Sequence, residues 1–314
     1  MQVIVAGNLV LDILAWPVDQ LLWDGTVWVD RMTRCVGGNG ANTSYTLAKL
    51  GMKVALHGSV GTDQEGKEIV DLLGGVGVDV TGVRQIDLPT PTTMALVKRG
   101  GARAFVHRPG ASKEALMQPI DVAGARHFHV ANPFGVPALR KLAPENLRRA
   151  RAAGMTTSLD AGWDSRGEWG KVVLPCLPHL DLLFVNEDEA RRITGERKWR
   201  SAVAALRQAK TVVLKRGKKG AVVFGEGYEA TVSGYAVEAV DSTGAGDVFA
   251  GAYLSAWLKG MSAGESARFA NAASAMCVQE LGSVTGLRTF REILAWQKEW
   301  ERAQDEKSSS APPA

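Results

Sequence analysis

The stretch Asp241-Ser242-Thr243-Gly244-Ala245-Gly246-Asp247, followed by the apolar, small-residue-rich segment 248–259, is the most informative part of the chain. The pattern is typical of a tight turn that opens a helix. Backbone N–H groups of residues 244–246 would then lie at a helix N-terminus, where free donors and the helix dipole stabilise an anion. Asp247 beside them could take the proton from an attacking hydroxyl group during phosphoryl transfer. On these residues alone, a Gly-rich turn in which Asp247 merely caps a helix is the favoured interpretation.

Two further motifs accompany this turn. Gly37-Gly38-Asn39-Gly40-Ala41-Asn42 stands near the N-terminus, and Asn186-Glu187-Asp188-Glu189 follows the apolar run 182–185. Three motifs in this order and at these separations resemble the ribokinase-like (PfkB) carbohydrate kinase family. The resemblance implies a three-layer α/β/α sandwich with a mainly parallel central sheet and a small β lid. It also implies ATP and Mg²⁺ as cofactors.

The composition agrees with a globular enzyme. The 314 residues are 46% hydrophobic and 22% charged, and 37 basic against 33 acidic residues give a net charge of +4. That small excess, spread along the chain, favours no nucleic-acid partner. No uncharged run is long enough to span a membrane, so we expect no membrane partner either. Cys35, Cys176 and Cys277 lack C-x-x-C spacing, which favours reduced thiols and a cytoplasmic protein.

Strand-like and helical segments alternate along most of the chain, which predicts a mainly parallel sheet covered on both faces. The predicted strands are residues 3–6, 54–57, 127–130, 156–159, 182–185, 211–214 and 221–224, and the predicted helices are residues 42–50, 67–73, 145–153, 187–193 and 199–209. Segments of about 15–36 and 91–107 break the alternation and predict the lid, with residues 27–29 as one of its strands. We expect one kinase domain over residues 1–303 and a disordered tail over 304–314.

The candidates for binding the acceptor lie in the first 42 residues. Asn8 and Asp12 follow the first predicted strand, and a carboxylate such as Asp12 can accept hydrogen bonds from two adjacent sugar hydroxyls. Gly38 would let the backbone approach a polyol closely, and Asn42 offers both donors and an acceptor. The resemblance assigns these four residues and Asn39 to the substrate. Without it, a helix N-cap role for Asn42 is the alternative.

The nucleotide is expected at the C-terminal edge of the sheet. Asn186 and Glu189 are one helical turn apart and share a face there. The resemblance gives this pair a role in organising Mg²⁺ and the phosphates, largely through water. It also assigns the nucleotide to residues of one turn and one helix, namely Lys215, Gly217, Gly220 and Asn271. By themselves, these patterns predict only an acidic helix start and an exposed hairpin turn.

Some residues depart from the family pattern. Some relatives bind a monovalent cation, and the resemblance makes Asp241 and Thr243 candidate K⁺ ligands, but Gly286 stands where ribokinases have a serine ligand. K⁺ activation is therefore left open. The segment 61–68 fits the start of a P-loop, but Glu68 replaces the hydroxyl residue that would ligate Mg²⁺, which excludes that assignment.

The chain is interpreted as an ATP-dependent kinase that phosphorylates a hydroxyl group of a small sugar. One alternative is a nucleoside kinase, in which a base stacks on lid aromatics such as Trp16 or Phe105. A sugar phosphate is another possible acceptor, with Arg103 or Arg108 supplying a basic pocket. A non-catalytic sensor is a third alternative, against which the intact Asp247 argues. A homodimer joined through the lid is suggested by analogy alone.

Overall fold

The computed structural model describes residues 2–100, 102–118, 120–122 and 124–309, with side chains described as far as residue 303. The strands are β1 (Val3–Gly7), β2 (Val10–Trp16), β3 (Arg31–Gly37), β4 (Val54–Gly61), β5 (Val83–Ile86), β6 (Thr92–Val97), β7 (Arg103–Arg108), β8 (His127–Ala131), β9 (Thr156–Asp160), β10 (Leu182–Asn186), β11 (Thr211–Lys215), β12 (Ala221–Gly225) and β13 (Tyr228–Val232). The α-helices are α1 (Asn39–Lys49), α2 (Gln64–Gly75), α3 (Leu139–Ala152), α4 (Trp169–Val173), α5 (Glu187–Thr194), α6 (Trp199–Ala205), α7 (Ala245–Leu258), α8 (Ala263–Cys277) and α9 (Phe290–Ser309).

Nine strands form the central sheet, in the order β13-β12-β11-β10-β9-β8-β1-β4-β5. The strands from β5 to β11 in this order are parallel, whereas β12 and β13 are antiparallel additions at one edge. Side chains alternate along β1, so that Val3 and Val5 belong to one core while Ile4 and Ala6 belong to the other. Strands buried on both faces are what a parallel sheet between helix layers requires.

Helices cover both faces of this sheet. Residues of α1, α2, α7, α8 and α9 fill the core on one face, and residues of α3 to α6 fill the core on the other. The predicted three-layer α/β/α sandwich is confirmed. Within the described part of the chain, no helix combines the length and the apolar character that crossing a membrane would need.

The lid is a second sheet of four strands, in the order β3-β2-β6-β7. The sequence correctly predicted a small β lid, but it placed the start of the first lid segment too late. β2 begins at Val10, because residues 10–16 pair with β3 along their whole length. Residues 27–29 form no strand, since they lie in an exposed loop where Trp28 is 89% exposed.

Two other boundaries differ from the sequence prediction. α1 begins at Asn39, so Asn42 lies inside the helix and the N-cap is Gly38. α9 runs to Ser309 and includes residues 304–309 of the predicted tail, because Glu, Lys, Gln and Arg favour continuation of a helix. Residues 310–314 lie outside the described part of the chain. The single-domain boundary at residue 303 stays a prediction.

Candidate active site

Five neighbouring strands of the central sheet end at one edge and carry polar residues there. Each side chain stands at the carboxyl end of its strand or just beyond it, where open parallel sheets bind ligands. These residues are Asn8 after β1, Asn132 after β8, Asp160 on β9, Asn186 on β10 and Lys215 on β11. The sequence analysis had assigned three of them to a site. Asn132 and Asp160 were missed, although each ends a predicted strand as Asn8 does.

Asp247 lies in the first turn of α7, beside this edge. The helix begins after Gly244, whose φ of 72° is left-handed, and a Cβ atom there would lie 2.6 Å from the Cβ atom of Ser283. Glycine is therefore required at this position. Asn39 Nδ2 donates to Asp247 Oδ1 at 2.7 Å, and Asn42 Nδ2 donates to Oδ2 at 2.9 Å. The two predicted acceptor-site asparagines thus hold the predicted base.

The two asparagines are themselves oriented by their neighbours. Asn132 Nδ2 donates to Asn39 Oδ1 at 2.8 Å, and the backbone N–H of Asn39 donates to Asn8 Oδ1 at 3.1 Å. Ser283 Oγ lies 2.9 Å from Asn42 Oδ1. Because Asn39 Oδ1 accepts from Asn132, the amide nitrogen of Asn39 is turned toward the carboxylate of Asp247. The carboxylate can only accept, which orients the amide nitrogen of Asn42 toward it in the same way.

Asp247 is buried, and this changes its acidity. Burial raises the pKa of its carboxyl to about 6, and the negative charge of Asp160 adds to the effect, while the donors Asn42 and Asn39 oppose it. A carboxylate with a pKa close to neutrality is a better proton acceptor than an ordinary aspartate and is still ionised at pH 7. The arrangement therefore suits a general base.

Asp12 lies on β2, on the lid side of the same space. Its carboxylate rests across Gly37, where any Cβ atom would overlap it. Burial raises the pKa of Asp12 to about 7, and the charges of Asp247 and Asp241 contribute to the rise, while the hydrogen bond from Thr93 opposes it. The electrostatic coupling shows that the predicted base and the predicted sugar-binding carboxylate face one region.

A single ammonium group lies among three buried carboxylates. Lys215 Nζ donates to both oxygens of Asp160, at 2.6 and 2.8 Å, and its attraction to Asp160 and Glu189 outweighs burial and raises its pKa. Burial raises the pKa of Glu189 to about 7, with Asp160 adding to the rise and Lys215 opposing it. With Asp247 as the third carboxylate, the cluster keeps an excess of negative charge, which suits a divalent cation.

Asn186 and Glu189 form a capping box at the start of α5. Asn186 Oδ1 accepts from the backbone N–H of Asp188 and of Glu189, both at 2.9 Å. The Glu189 carboxylate accepts from the backbone N–H of Asn186 at 2.8 Å and from its Nδ2 at 2.7 Å. The spacing of the motif is therefore explained by helix capping. Within the described ranges no three His, Cys, Asp or Glu residues are placed to ligate a metal directly, so these residues fit Mg²⁺ only through water.

A cavity of about 250 Å³ opens beside the first turn of α7. Lys215 and Asn271 line it, and so do Gly217 and Gly220 of the turn after β11. Its apolar wall comes from Tyr235, Val237, Phe249, Ala275 and Val278. A polar rim and an apolar wall are the usual composition of a site for a nucleotide-sized ligand.

The N-terminus of α7 differs in one detail from the predicted anion hole. The N–H of Ala245 donates to Ser242 O at 3.3 Å and is partly occupied. Gly246 faces the ammonium of Lys215, because a Cβ atom on Gly246 would lie 3.3 Å from Nζ. The helix N-terminus and the ammonium of Lys215 therefore lie side by side, a combination that would suit an anion and that the sequence alone did not connect.

The lid is closed onto the turn that precedes α7. The guanidinium of Arg103 on β7 donates to Ser242 Oγ. Leu14 and Ala95 of the lid pack against Leu281 of the body. Lid and body are thus in direct contact at these two places.

The predicted cation ligands are occupied within their own loop. Thr243 donates to Asp241 Oδ1 through its N–H at 2.8 Å and its Oγ1 at 2.7 Å, and the N–H of Gly282 donates to Oδ2 at 3.1 Å. A Cβ atom at Gly286 would lie 2.8 Å from Met276 O and 2.9 Å from the backbone oxygen of residue 277, so this backbone has no room for the serine ligand. The geometry explains Asp241 as a loop-fixing residue.

Comparison with known proteins gives a consistent result. A family model described as pfkB family carbohydrate kinase matches residues 4–289. A ribokinase of Arabidopsis thaliana is 30% identical over 275 residues, which cover 82% of this chain and 71% of that protein. A nucleoside kinase of Methanothermobacter thermautotrophicus is 29% identical over 276 residues, covering 82% of this chain and 83% of that protein. The structure of Arabidopsis thaliana ribokinase complexed with ribose and ATP has a TM-score of 0.82 at 27% identity, covering 95% of this chain and 98% of that one.

Proposed function

Because the chain belongs to the pfkB family of carbohydrate kinases and is thus a phosphotransferase with an alcohol acceptor, we propose that it transfers the γ-phosphoryl group of ATP to a hydroxyl group of a small sugar, with Asp247 as the base. The observation that carries this proposal is the environment of Asp247. It is a buried carboxylate with a raised pKa, held by Asn39 and Asn42, in the first turn of a helix.

The nucleotide is proposed to lie in the cavity beside α7. Its base would contact the apolar wall around Tyr235 and Phe249, and Asn271 and the turn containing Gly217 and Gly220 would border it. The phosphates would meet the N-terminus of α7 and Lys215. Asn186 and Glu189 would hold Mg²⁺ through water, and this ion would neutralise charge on the phosphate oxygens.

The acceptor is proposed to lie between Asp12 and Asp247. Asp12 would accept hydrogen bonds from two of its hydroxyl groups and leave a third directed toward Asp247. That carboxylate removes the proton as the hydroxyl oxygen attacks, and the closed lid excludes water from the reaction. The acceptor site would be completed by residues that fix its backbone and the position of the Asp247 carboxylate, namely Asn8, Gly38, Asn39 and Asn42.

A nucleoside is the second candidate acceptor. The nucleoside kinase relative is as similar as the ribokinase, so identity does not separate the two. Phe105 lies on the lid and is 51% exposed, which leaves its ring available to a base. A sensor without activity is disfavoured, since loss of the base is what such a protein would be expected to show.

Three finer expectations belong to the same proposal. Activation by K⁺ through Asp241 and Thr243 stays a prediction, as does a homodimer formed through the lid. A cytoplasmic location fits Cys35, Cys176 and Cys277, which are free thiols.

The proposal is tested by measuring ADP release from Mg·ATP in the presence of single acceptors. The panel contains D-ribose, D-fructose, D-glucose, adenosine and inosine, and D-ribose 5-phosphate and D-fructose 6-phosphate. Turnover with a free sugar supports the proposal, and turnover with nucleosides alone supports the second candidate. No turnover with any acceptor, while Mg·ATP binds in calorimetry, would contradict both.

A further inference from the structure

Three polar side chains form a row across the lid. The strand register places Asp12 on β2 opposite Thr93 on β6, and Thr93 opposite His107 on β7. Leu14, two positions along β2 and hence on the same face, is buried against Leu281 of the body. The row therefore lies on the lid face that is turned toward the body, where the acceptor is proposed to bind.

Hydrogen bonds join the three side chains and fix the tautomer of the histidine. A hydrogen bond from Thr93 opposes the rise in the pKa of Asp12, and Thr93 Oγ1 lies 3.0 Å from His107 Nδ1. A hydroxyl group has one hydrogen, so when Thr93 donates it to the ionised Asp12 carboxylate, Thr93 accepts from His107 and Nδ1 carries the proton. The partial burial of His107 lowers its pKa, which favours the neutral ring. Nε2 is then a lone-pair acceptor, and it makes no hydrogen bond to any described residue.

With Asp12 ionised, the row offers acceptors only. The Asp12 carboxylate and His107 Nε2 both require a donor, and their strands are separated by two inter-strand steps of about 4.8 Å each. A molecule with several hydroxyl groups, spread over a comparable length, matches this spacing.

A phosphate ester does not match the row, because its oxygens would also face acceptors. The two arginines of β7 make hydrogen bonds outside the row. Arg103 donates to Ser242 Oγ, and Arg108 donates to the backbone oxygen of Thr90 at 3.2 Å and to Thr92 Oγ1 at 3.0 Å. Neither guanidinium group is hydrogen-bonded to Asp12, Thr93 or His107 in these contacts.

We propose that His107 is a specificity-determining residue, which accepts a hydrogen bond through Nε2 from a hydroxyl group of an uncharged polyhydroxy acceptor. Thr93 is a positioning residue that holds its tautomer. This assignment rests on the function proposed above and goes beyond it, because it favours uncharged acceptors over sugar phosphates and places the discrimination on the edge strand of the lid.

The test compares His107→Leu, which removes the acceptor nitrogen, with His107→Gln, whose amide oxygen can replace it. Arg108→Gln is the matched control, since it changes the same strand without touching the row. The measurements are kcat and KM for D-ribose, D-fructose, adenosine, D-ribose 5-phosphate and D-fructose 6-phosphate, and the KM for Mg·ATP. We expect uncharged acceptors to be preferred by the wild type and His107→Leu to lose about tenfold in acceptor kcat/KM, the effect of one lost hydrogen bond. The loss appears in the acceptor KM, and His107→Gln and Arg108→Gln remain close to the wild type.

Each other outcome has a defined meaning. The assignment of His107 alone is overturned if the acceptor KM of His107→Leu stays within about twofold of the wild-type value, which is the experimental scatter. It is also overturned if the wild type prefers the phosphate esters. An equal loss for Mg·ATP or a lower melting temperature would show a purely structural role and overturns it as well. A wild type that phosphorylates none of the five compounds overturns the proposed function, and the role of His107 falls with it.

Discussion

The central sheet and the lid sheet deliver side chains to the site in different ways. The central sheet is buried on both faces, so it contributes polar residues only where its strands end, as Asn8, Asp160 and Lys215 do. The lid contributes residues from the middle of its strands, as a row on one face that contains Asp12 and Thr93. β7, the edge of the lid, is exposed along its whole length. We infer that the buried charges around Asp247 depend mainly on the central sheet, and that the choice of acceptor depends on the lid.

The largest effect is expected from Asp247→Asn, which alters the core side of this comparison. An amide cannot accept the proton, so kcat should fall by about 10²–10⁴, the range for loss of a general base. Binding of Mg·ATP should remain, because Asp247 only neighbours the proposed phosphate site. The measurement is ADP release at saturating acceptor, with calorimetry of nucleotide binding as the control. Turnover near that of the wild type would contradict the role of Asp247.

The same residue predicts a pH dependence. The base acts when ionised, so acceptor kcat/KM should rise with pH through about 6 as Asp247 loses its proton. It should rise further through about 7 as Asp12 ionises and becomes able to accept two hydrogen bonds. A profile that is flat between pH 5 and 8 in the wild type would contradict both assignments.

The next effect is expected from Lys215→Gln, which removes the ammonium from the carboxylate cluster. The side chains of Lys215 and Asp160 are only 13% and 4% exposed, so the change leaves a buried carboxylate unpaired. We expect the free energy of unfolding to fall by about 3–5 kcal/mol, and the KM for Mg·ATP to rise. Urea unfolding and steady-state kinetics measure the two effects.

Lys219→Gln is the matched control for this prediction. Lys219 lies on the same turn but is exposed, and the cavity lining does not include it. It should unfold at the same urea concentration as the wild type. Equal midpoints for both lysine variants would show that the buried cluster contributes nothing to stability.

The smallest effect is expected from Arg103→Gln, on the lid side of the comparison. The change removes the hydrogen bond that joins the lid to Ser242. We expect acceptor kcat/KM to fall about tenfold, as for one charged hydrogen bond, with little change in melting temperature. Arg99→Gln, which breaks only exposed ion pairs of the lid with Asp19 and Asp30, should leave the kinetics unchanged. A fall in both variants would show a general disturbance of the lid and remove the assigned role of Arg103.

The sequence was sufficient for the order of the elements and for part of the site. Alternating apolar strands and helices predicted the layers, because each strand and helix carries its own periodicity. The predicted lid boundaries failed at Val10 and at residues 27–29, because strand formation depends on the presence of a partner strand, which β-propensity alone does not reveal. Asn186 and Glu189 were found by their spacing, but the capping box that explains the spacing was not.

What the sequence determined by itself is the turn 241–247, the strand and helix pattern, and the family to which they belong. These follow from residues that are neighbours in the chain. The tertiary structure alone decided that Asn39, which is 208 residues from Asp247, orients its carboxylate, and that Lys215 pairs with Asp160. It also decided that His107 lies in one row with Asp12. Such contacts depend on how strands pair and helices pack, so no local pattern of residues encodes them.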